Sequence, residues 1–156
     1  MKTTVHTDPE TIEGVIRRCD TCSVGMADVD GTPYVLPMNF GYEDGVVYLH
    51  SGPEGTHVEI VRRNPRVCVL FGAAGELVWQ HPDVACSYRM RAQSVVAWGQ
   101  VEFEEDFDRK VHALDVLMRH YSDRQFSYSR PAVVNTRIWR IRLENASCRA
   151  FGVPHR

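Results

Sequence analysis

Apolar residues along the chain change their spacing several times, and each change marks a structural element. Ile12, Val15, Ile16 and Cys19 recur every three or four positions, which puts one apolar stripe on a helix. Asp8 as cap and Pro9 at the first helical position supply its start. From Thr21 to Ser51 the pattern turns strand-like, cut by the turn pairs Asp30-Gly31 and Asp44-Gly45. Three runs result, and they predict an antiparallel meander. Pro33 and Pro37 bracket the middle run; proline cannot donate to a ladder, so this strand is expected at an edge or locally irregular.

Thr56 to Asn64 reads as two helical turns with Val58 and Val61 on one side, ended by Asn64-Pro65. "VCVLFGAAGELVWQ" and "QSVVAWGQVEFEE" are further strands, separated by the loop "HPDVACSYRMRA". Phe107, Val111, Leu114, Met118 and Tyr121 then step by three or four, predicting a helix over Asp106 to Tyr121. The acidic run Glu104-Glu105-Asp106 suits the positive end of its dipole. Ile138, Trp139, Ile141 and Leu143 mark a closing strand. About six antiparallel strands joined by hairpins, with few helices, favour a mainly β fold, a small barrel rather than a parallel sheet.

Composition narrows the function classes. With 156 residues the chain is long enough for one domain, 1–156, with a substantial core. A formal charge of −2 argues against a nucleic-acid binder, which needs a basic face. Arginines cluster at Arg62, Arg63 and Arg66, at Arg89 and Arg91, and at Arg137, Arg140 and Arg142. Their spacing is that of solvated faces, with a local anion site as the alternative. No stretch approaches the roughly 18 apolar residues of a membrane span, and "MKTTVHTDPE" lacks a signal-peptide core, so a cytoplasmic location is expected. Five cysteines cannot form a complete disulfide framework. "CDTC", Cys19 to Cys22, has redox or zinc spacing, but no second such pair exists and it straddles a helix-to-strand junction, so a structural role is expected.

The segment "HSGPEGTH", His50 to His57, is richer than a turn requires. If Thr56 begins a helix, its first N–H groups are unsatisfied and the dipole adds positive charge. Gly52 and Gly55 allow close approach by a ligand, and Ser51, Thr56, His50 and His57 add donors. That is a phosphate-binding assembly; a capped turn with two exposed histidines accounts for the same residues.

The run "GTPYVLPMNFGYEDGVVYLHSGPEGTHVEIVRRNPRVCV" resembles the flavin-binding split-barrel superfamily related to pyridoxamine 5′-phosphate oxidase, nearest to its nitroimidazole-resistance (Nim-type) branch. "ACSYRMRAQSVVAWGQVEF" and "ALDVLMRHY" extend the resemblance, which covers about Cys19 to Leu143. It implies a six-stranded antiparallel split barrel, homodimeric, with FMN in a groove between subunits. It further implies that Val35, Leu36, Pro37, Met38 and Asn39 line the flavin ring. His50, Ser51, Thr56 and His57 would border the phosphate, and Gln93 and Ser94 would approach from the other subunit. His50 matches the branch's functional histidine and is the candidate catalytic residue. Many superfamily members carry lysine where this chain has His57, which removes a fixed charge from the phosphate.

The implied activity is FMN-dependent reduction of a small electron-poor substrate, for example a nitroaromatic. Tyr88, Trp98, Trp79 and Phe40 are candidates for the groove's aromatic walls, with a place in the core as the favoured alternative for each. Alternatives are a barrel binding deazaflavin or haem, the latter through His81, His50 or His155, and a non-catalytic flavin-binding module. A metal hydrolase fits poorly: His50 and His57 lack a carboxylate at ligand spacing, and His112 and His120 lie eight apart. Pyridoxamine 5′-phosphate oxidase activity itself is not expected, since only "FGVPHR" follows the last strand.

Overall fold

The computed structural model describes residues 2–153. Its first half runs β1 (Lys2–His6), α1 (Pro9–Ile16), β2 (Cys22–Ala27), β3 (Pro33–Met38), β4 (Phe40–Glu43), β5 (Val46–Ser51) and α2 (Thr56–Arg63). The second half runs β6 (Arg66–Gly72), β7 (Glu76–Val78), β8 (Arg89–Glu104), α3 (Phe107–Tyr121), α4 (Arg130–Asn135), β9 (Arg137–Arg142) and β10 (Glu144–Val153). All pairings are antiparallel, in the order β3-β2-β6-β8-β9-β5-β4, with β10 joining β8 to β1 and β7 joining the start of β8. The strands wrap into an antiparallel split barrel.

β8 is the strand on which closure depends. Val95 to Trp98 pair with β6 on one side and face β10 on the other, whereas Val101 to Glu104 pair with β9. The exchange of partners falls at Gly99. A Cβ there would meet the Arg142 carbonyl oxygen and Ile141 Cγ2 at 2.6 Å, so only glycine lets the β9–β10 corner sit this close.

The core fills from both sides of this sheet. Trp139, Phe40, Phe71, Leu49, Val24 and Ile141 are essentially inaccessible, and Val15 and Ile16 of α1 join them. Asp8 caps α1 by accepting from the Thr11 amide at 2.9 Å. α3 is tied to the α1–β2 turn through two neighbouring rings. His120 Nε2 donates to the Cys19 carbonyl at 2.7 Å, and Tyr121 donates to the Asp20 carbonyl at 2.7 Å while accepting from the Phe40 amide. Lys110, buried within α3, donates to the carbonyls of Thr136 at 3.0 Å and Val134 at 3.4 Å. It thereby satisfies the end of α4 and fixes the backbone just before Arg137.

Several expectations change in detail. The middle run of the meander breaks at Asn39 into β3 and β4, which lie at opposite edges of the strand order. The edge position expected from Pro33 and Pro37 holds. "VCVLFGAAGELVWQ" is two strands, β6 and the short β7, because Gly72 to Gly75 turn between them. β1 and α4 carry too few periodic apolar residues to have been read, and β10 continues where one closing strand was expected. All five cysteines are free thiols; Cys19 and Cys22 are buried, and burial pushes the Cys22 thiol up to about 12. Burial thus disfavours the thiolate at Cys22.

Candidate functional site

β5 ends at Ser51, directly opposite Arg137 at the start of β9. Ser51 Oγ accepts a hydrogen bond from Trp139 Nε1 at 3.0 Å and donates to the Gly52 carbonyl at 2.8 Å. The Trp139 ring in turn stacks on His57 in the first turn of α2, with centroids 5.6 Å apart and 22° between planes. One buried tryptophan therefore holds the two ends of the "HSGPEGTH" loop in register. Gly55 is the helix cap, at φ 135°, a conformation reserved for glycine, and it offers no side-chain acceptor to the α2 amides. Among the described residues no side chain caps the first turn of α2, at the far end of the loop that begins at Ser51.

Arg137 completes this corner; the sequence offered it only within the cluster Arg137, Arg140 and Arg142, read as a solvated face with an anion site as the alternative. Its guanidinium lies over Phe103 at 4.9 Å, donates from Nη1 to Glu105 at 2.8 Å and from Nη2 to the Pro53 carbonyl at 3.3 Å. Its Nε is buried and has no hydrogen-bond partner among the described residues. The arginines around it behave differently: Arg62 and Arg63 pair with Glu59 or Asp28, Arg66 with Glu144, and Arg140 with Glu102, all at the surface. The signal that marks Arg137 is its place opposite Ser51, which appears only once β5 and β9 are paired.

His50 is set apart from these groups. Adjacent residues on a strand project to opposite faces, so Ser51 shares the Leu49–Trp139 face while His50 leaves from the other. Burial lowers the pKa of both His50 and His57 below the ordinary value of 6.5, which keeps both imidazoles neutral near pH 7.

The remaining sequence candidates divide by strand face. Register places Val35, Gly25, Cys68 and Trp98 in one row across β3, β2, β6 and β8, and Pro37, Ser23, Leu70 and Val96 in the next. Val35, Pro37 and Ser94 therefore share an outer face with Leu70 and Trp98, where Val35 remains 69% exposed. Leu36 and Met38 turn inward, Leu36 against the core and Met38 within it, and Asn39 is exposed at the β3–β4 break. Gln93 turns away from that face, and its Oε1 accepts from Arg18 at 2.6 Å.

Of the proposed wall aromatics, Phe40 is core, whereas Trp79, Tyr88 and Trp98 are exposed, with Trp79 stacked on Tyr88 at 5.4 Å. His81 Nδ1 accepts from the Asp83 amide within its own loop, and His155 lies outside the described residues. His112 pairs with Glu43 at 2.7 Å. Among the described residues, no group of three or more His, Cys, Asp or Glu side chains is placed to hold a metal ion, and no helix is long and apolar enough to cross a membrane.

The family model for pyridoxamine 5′-phosphate oxidase matches residues 8–150. A protein from Bacteroides thetaiotaomicron VPI-5482, described as a 5-nitroimidazole antibiotic resistance protein, has a similar crystal structure. It shares 48% identity and a TM-score of 0.87, over 96% of this chain and 87% of that one. An FAD-binding protein from Mesorhizobium loti shares 27% identity and a TM-score of 0.70, over 96% and 99%. The flavocytochrome Anf3 from Azotobacter vinelandii, at 21% identity and a TM-score of 0.82 over 96% and 70%, shares the fold. No curated protein matches the sequence. The chain belongs to the pyridoxamine 5′-phosphate oxidase family, and shares nearly half its residues with a member of the nitroimidazole-resistance type.

Proposed function

We propose that this chain is an FMN-dependent oxidoreductase that works in the cytoplasm as a homodimer and reduces a small electron-poor substrate such as a nitroaromatic. The observation that carries the reading is the α2 start without a side-chain cap at the end of the loop that begins at Ser51, with the Arg137 guanidinium bonded to the same loop. Free amides, a hydroxyl and a fork of N–H donors with one member unpaired are what a phosphate monoester requires. The 48% identity to a protein described by nitroimidazole resistance supports the choice of substrate class.

Ser51, Thr56 and His57 together with Arg137 would hold the phosphate, and the backbone of Val35 to Asn39 would border the ring. Once bound, a flavin supplies hydride transfer, and the chain's task is binding, orientation and electrostatics. The outer face bearing Val35, Pro37, Leu70 and Trp98 is the surface a second protomer would cover, which would bring Ser94 towards the partner's cofactor, whereas Gln93 points off that face to Arg18. His50, neutral and on the far strand face from Ser51, is free of the phosphate and is assigned to proton donation at the substrate. In that role it must enter the step protonated, so a neighbouring anion is needed to raise its pKa during turnover.

Absorption spectra and chromatography of the released cofactor test the reading. FMN at one per protomer supports it; FAD, deazaflavin, haem or no chromophore would each replace it. His50→Ala, assayed in FMN-saturated protein, should lose most turnover while retaining cofactor; full turnover removes the acid role. An FAD outcome would fit the 27% identical FAD-binding neighbour.

A further inference from the structure

A cavity of about 490 Å³ opens where the end of α1, the β6–β7 turn and the crossing of β8 and β10 meet. Ala73, Ala92, Ala150 and Phe151 form its apolar walls, with Arg18 and Gln93 as the polar groups among them. We propose that this cavity binds a small aromatic carboxylate, with Arg18 holding the anionic end and Phe151 flanking the ring.

Its shape is set by the backbone. Gly75 and Gly152 lie so close to β8 that a Cβ on either would meet atoms of residues 90–92 at about 3 Å. Gly152 also takes φ +70°. The Ala73 amide donates to the Gln93 carbonyl at 3.0 Å, carrying the β6–β8 ladder to the cavity edge. Alanine at positions 73, 92 and 150 leaves room that larger residues would fill.

The charge is equally specific. Glu76 and Arg91 at the rim neutralise each other at 3.2 Å. Among the described residues Arg18 has no carboxylate within ion-pair distance, and its one hydrogen bond goes to the neutral Gln93 Oε1. Two of its three nitrogen edges remain available. An arginine with unspent donors at the mouth of a mostly apolar cavity matches a planar anion on an apolar ring, through bidentate N–H···O contacts and stacking. Such a cavity lies within the usual size range for small-molecule sites, roughly 300–1,000 Å³. Apart from Gln93, none of these residues belongs to the flavin reading, and no bound flavin is required.

The test is an amide NMR titration of the protein as purified with benzoate, and with benzamide as its uncharged equivalent. Benzoate should give saturable shifts at Ala73, Gly75, Ala92 and Phe151, with benzamide about tenfold weaker. Arg18→Gln should weaken benzoate about tenfold without affecting benzamide. Ala74→Trp, placed in the exposed turn, should fill the space and abolish both. Shifts elsewhere, equal affinities for the two probes, or an unchanged Arg18→Gln variant would each overturn the proposal. Adding FMN to the same samples reports the flavin site separately.

Discussion

Trp139 donates its indole N–H to Ser51 Oγ at 3.0 Å while the same ring stacks on His57, seven residues beyond His50 and across the loop. A wholly buried aromatic in the core thus reaches out to fix both ends of a solvent-facing turn. Replacing it by phenylalanine keeps an apolar ring but removes the donor and part of the volume. Trp139→Phe should cost about 1–3 kcal/mol in stability, read by urea denaturation. It should also weaken FMN uptake several-fold, since Ser51 loses the bond that aims it.

Arg137 should matter to cofactor binding more than its neighbours do. A charge-assisted hydrogen bond contributes roughly 1.5–3 kcal/mol, and about 1.4 kcal/mol is tenfold in affinity. Arg137→Gln is therefore expected to weaken FMN at least about tenfold by flavin-fluorescence titration. Arg137→Lys should not restore it, because an ammonium lacks the planar fork. Arg140→Gln, which breaks only a surface pair with Glu102, serves as the control and should leave binding unchanged.

His57 gives a prediction of opposite sign. Lysine in its place supplies a permanent charge at the loop, so His57→Lys should tighten FMN by about ten- to a hundredfold. Unaltered protein should purify partly loaded and take up more FMN on addition.

The two depressed histidine pKa values set the pH dependence. An unfolded chain protonates these imidazoles near 6.5, whereas the folded one resists until lower pH. Folded protein then binds fewer protons than unfolded, so their share of stability is present above 6.5 and is lost as pH falls through that value towards the folded pKa. Cofactor binding runs the other way. A phosphate beside His57 favours the imidazolium, so FMN should bind more tightly at pH 6.5 than at pH 8. His57→Gln should flatten that dependence in titrations at the two pH values.

The row Val35, Gly25, Cys68 and Trp98 presents apolar atoms to solvent on an otherwise ordinary surface. Trp98→Glu should leave the far-ultraviolet spectrum unchanged and shift sedimentation from dimer to monomer. FMN loading should fall with it if the cofactor is shared between protomers.

How much of this was legible in the sequence depends on what carried each feature. The helices α1, α2 and α3 announced themselves through caps and period, and Asp8, Asn64 and Asp106 sit where those signals placed them. The split of the middle run at Asn39 was hidden, because nothing in "PMNF" differs locally from a continuing strand; the break follows from Phe40 turning into the core beside Phe71. The donors Ser51, Thr56 and His57 were visible in the sequence, where a phosphate site and a capped turn accounted for them equally. The role of Arg137 was not, since it lies 86 residues from Ser51 and becomes meaningful only once strands are paired. His50 and Ser51 were grouped as neighbours in sequence, while the pleat sends them apart.

The exchange of partners along β8 has a temporal side. Its middle residues gain a ladder from β6, but the flank towards β9 and β10 stays bare until residues 137 onward have been synthesised and have come back across the sheet. Such distant pairings make for slow closure, and the waiting edge, rich in valine, is the place where two nascent copies would stick together. Gly99 then has a kinetic duty as well as a steric one: a side chain there would obstruct the last ribbon as it docks, prolonging the interval in which that edge is open.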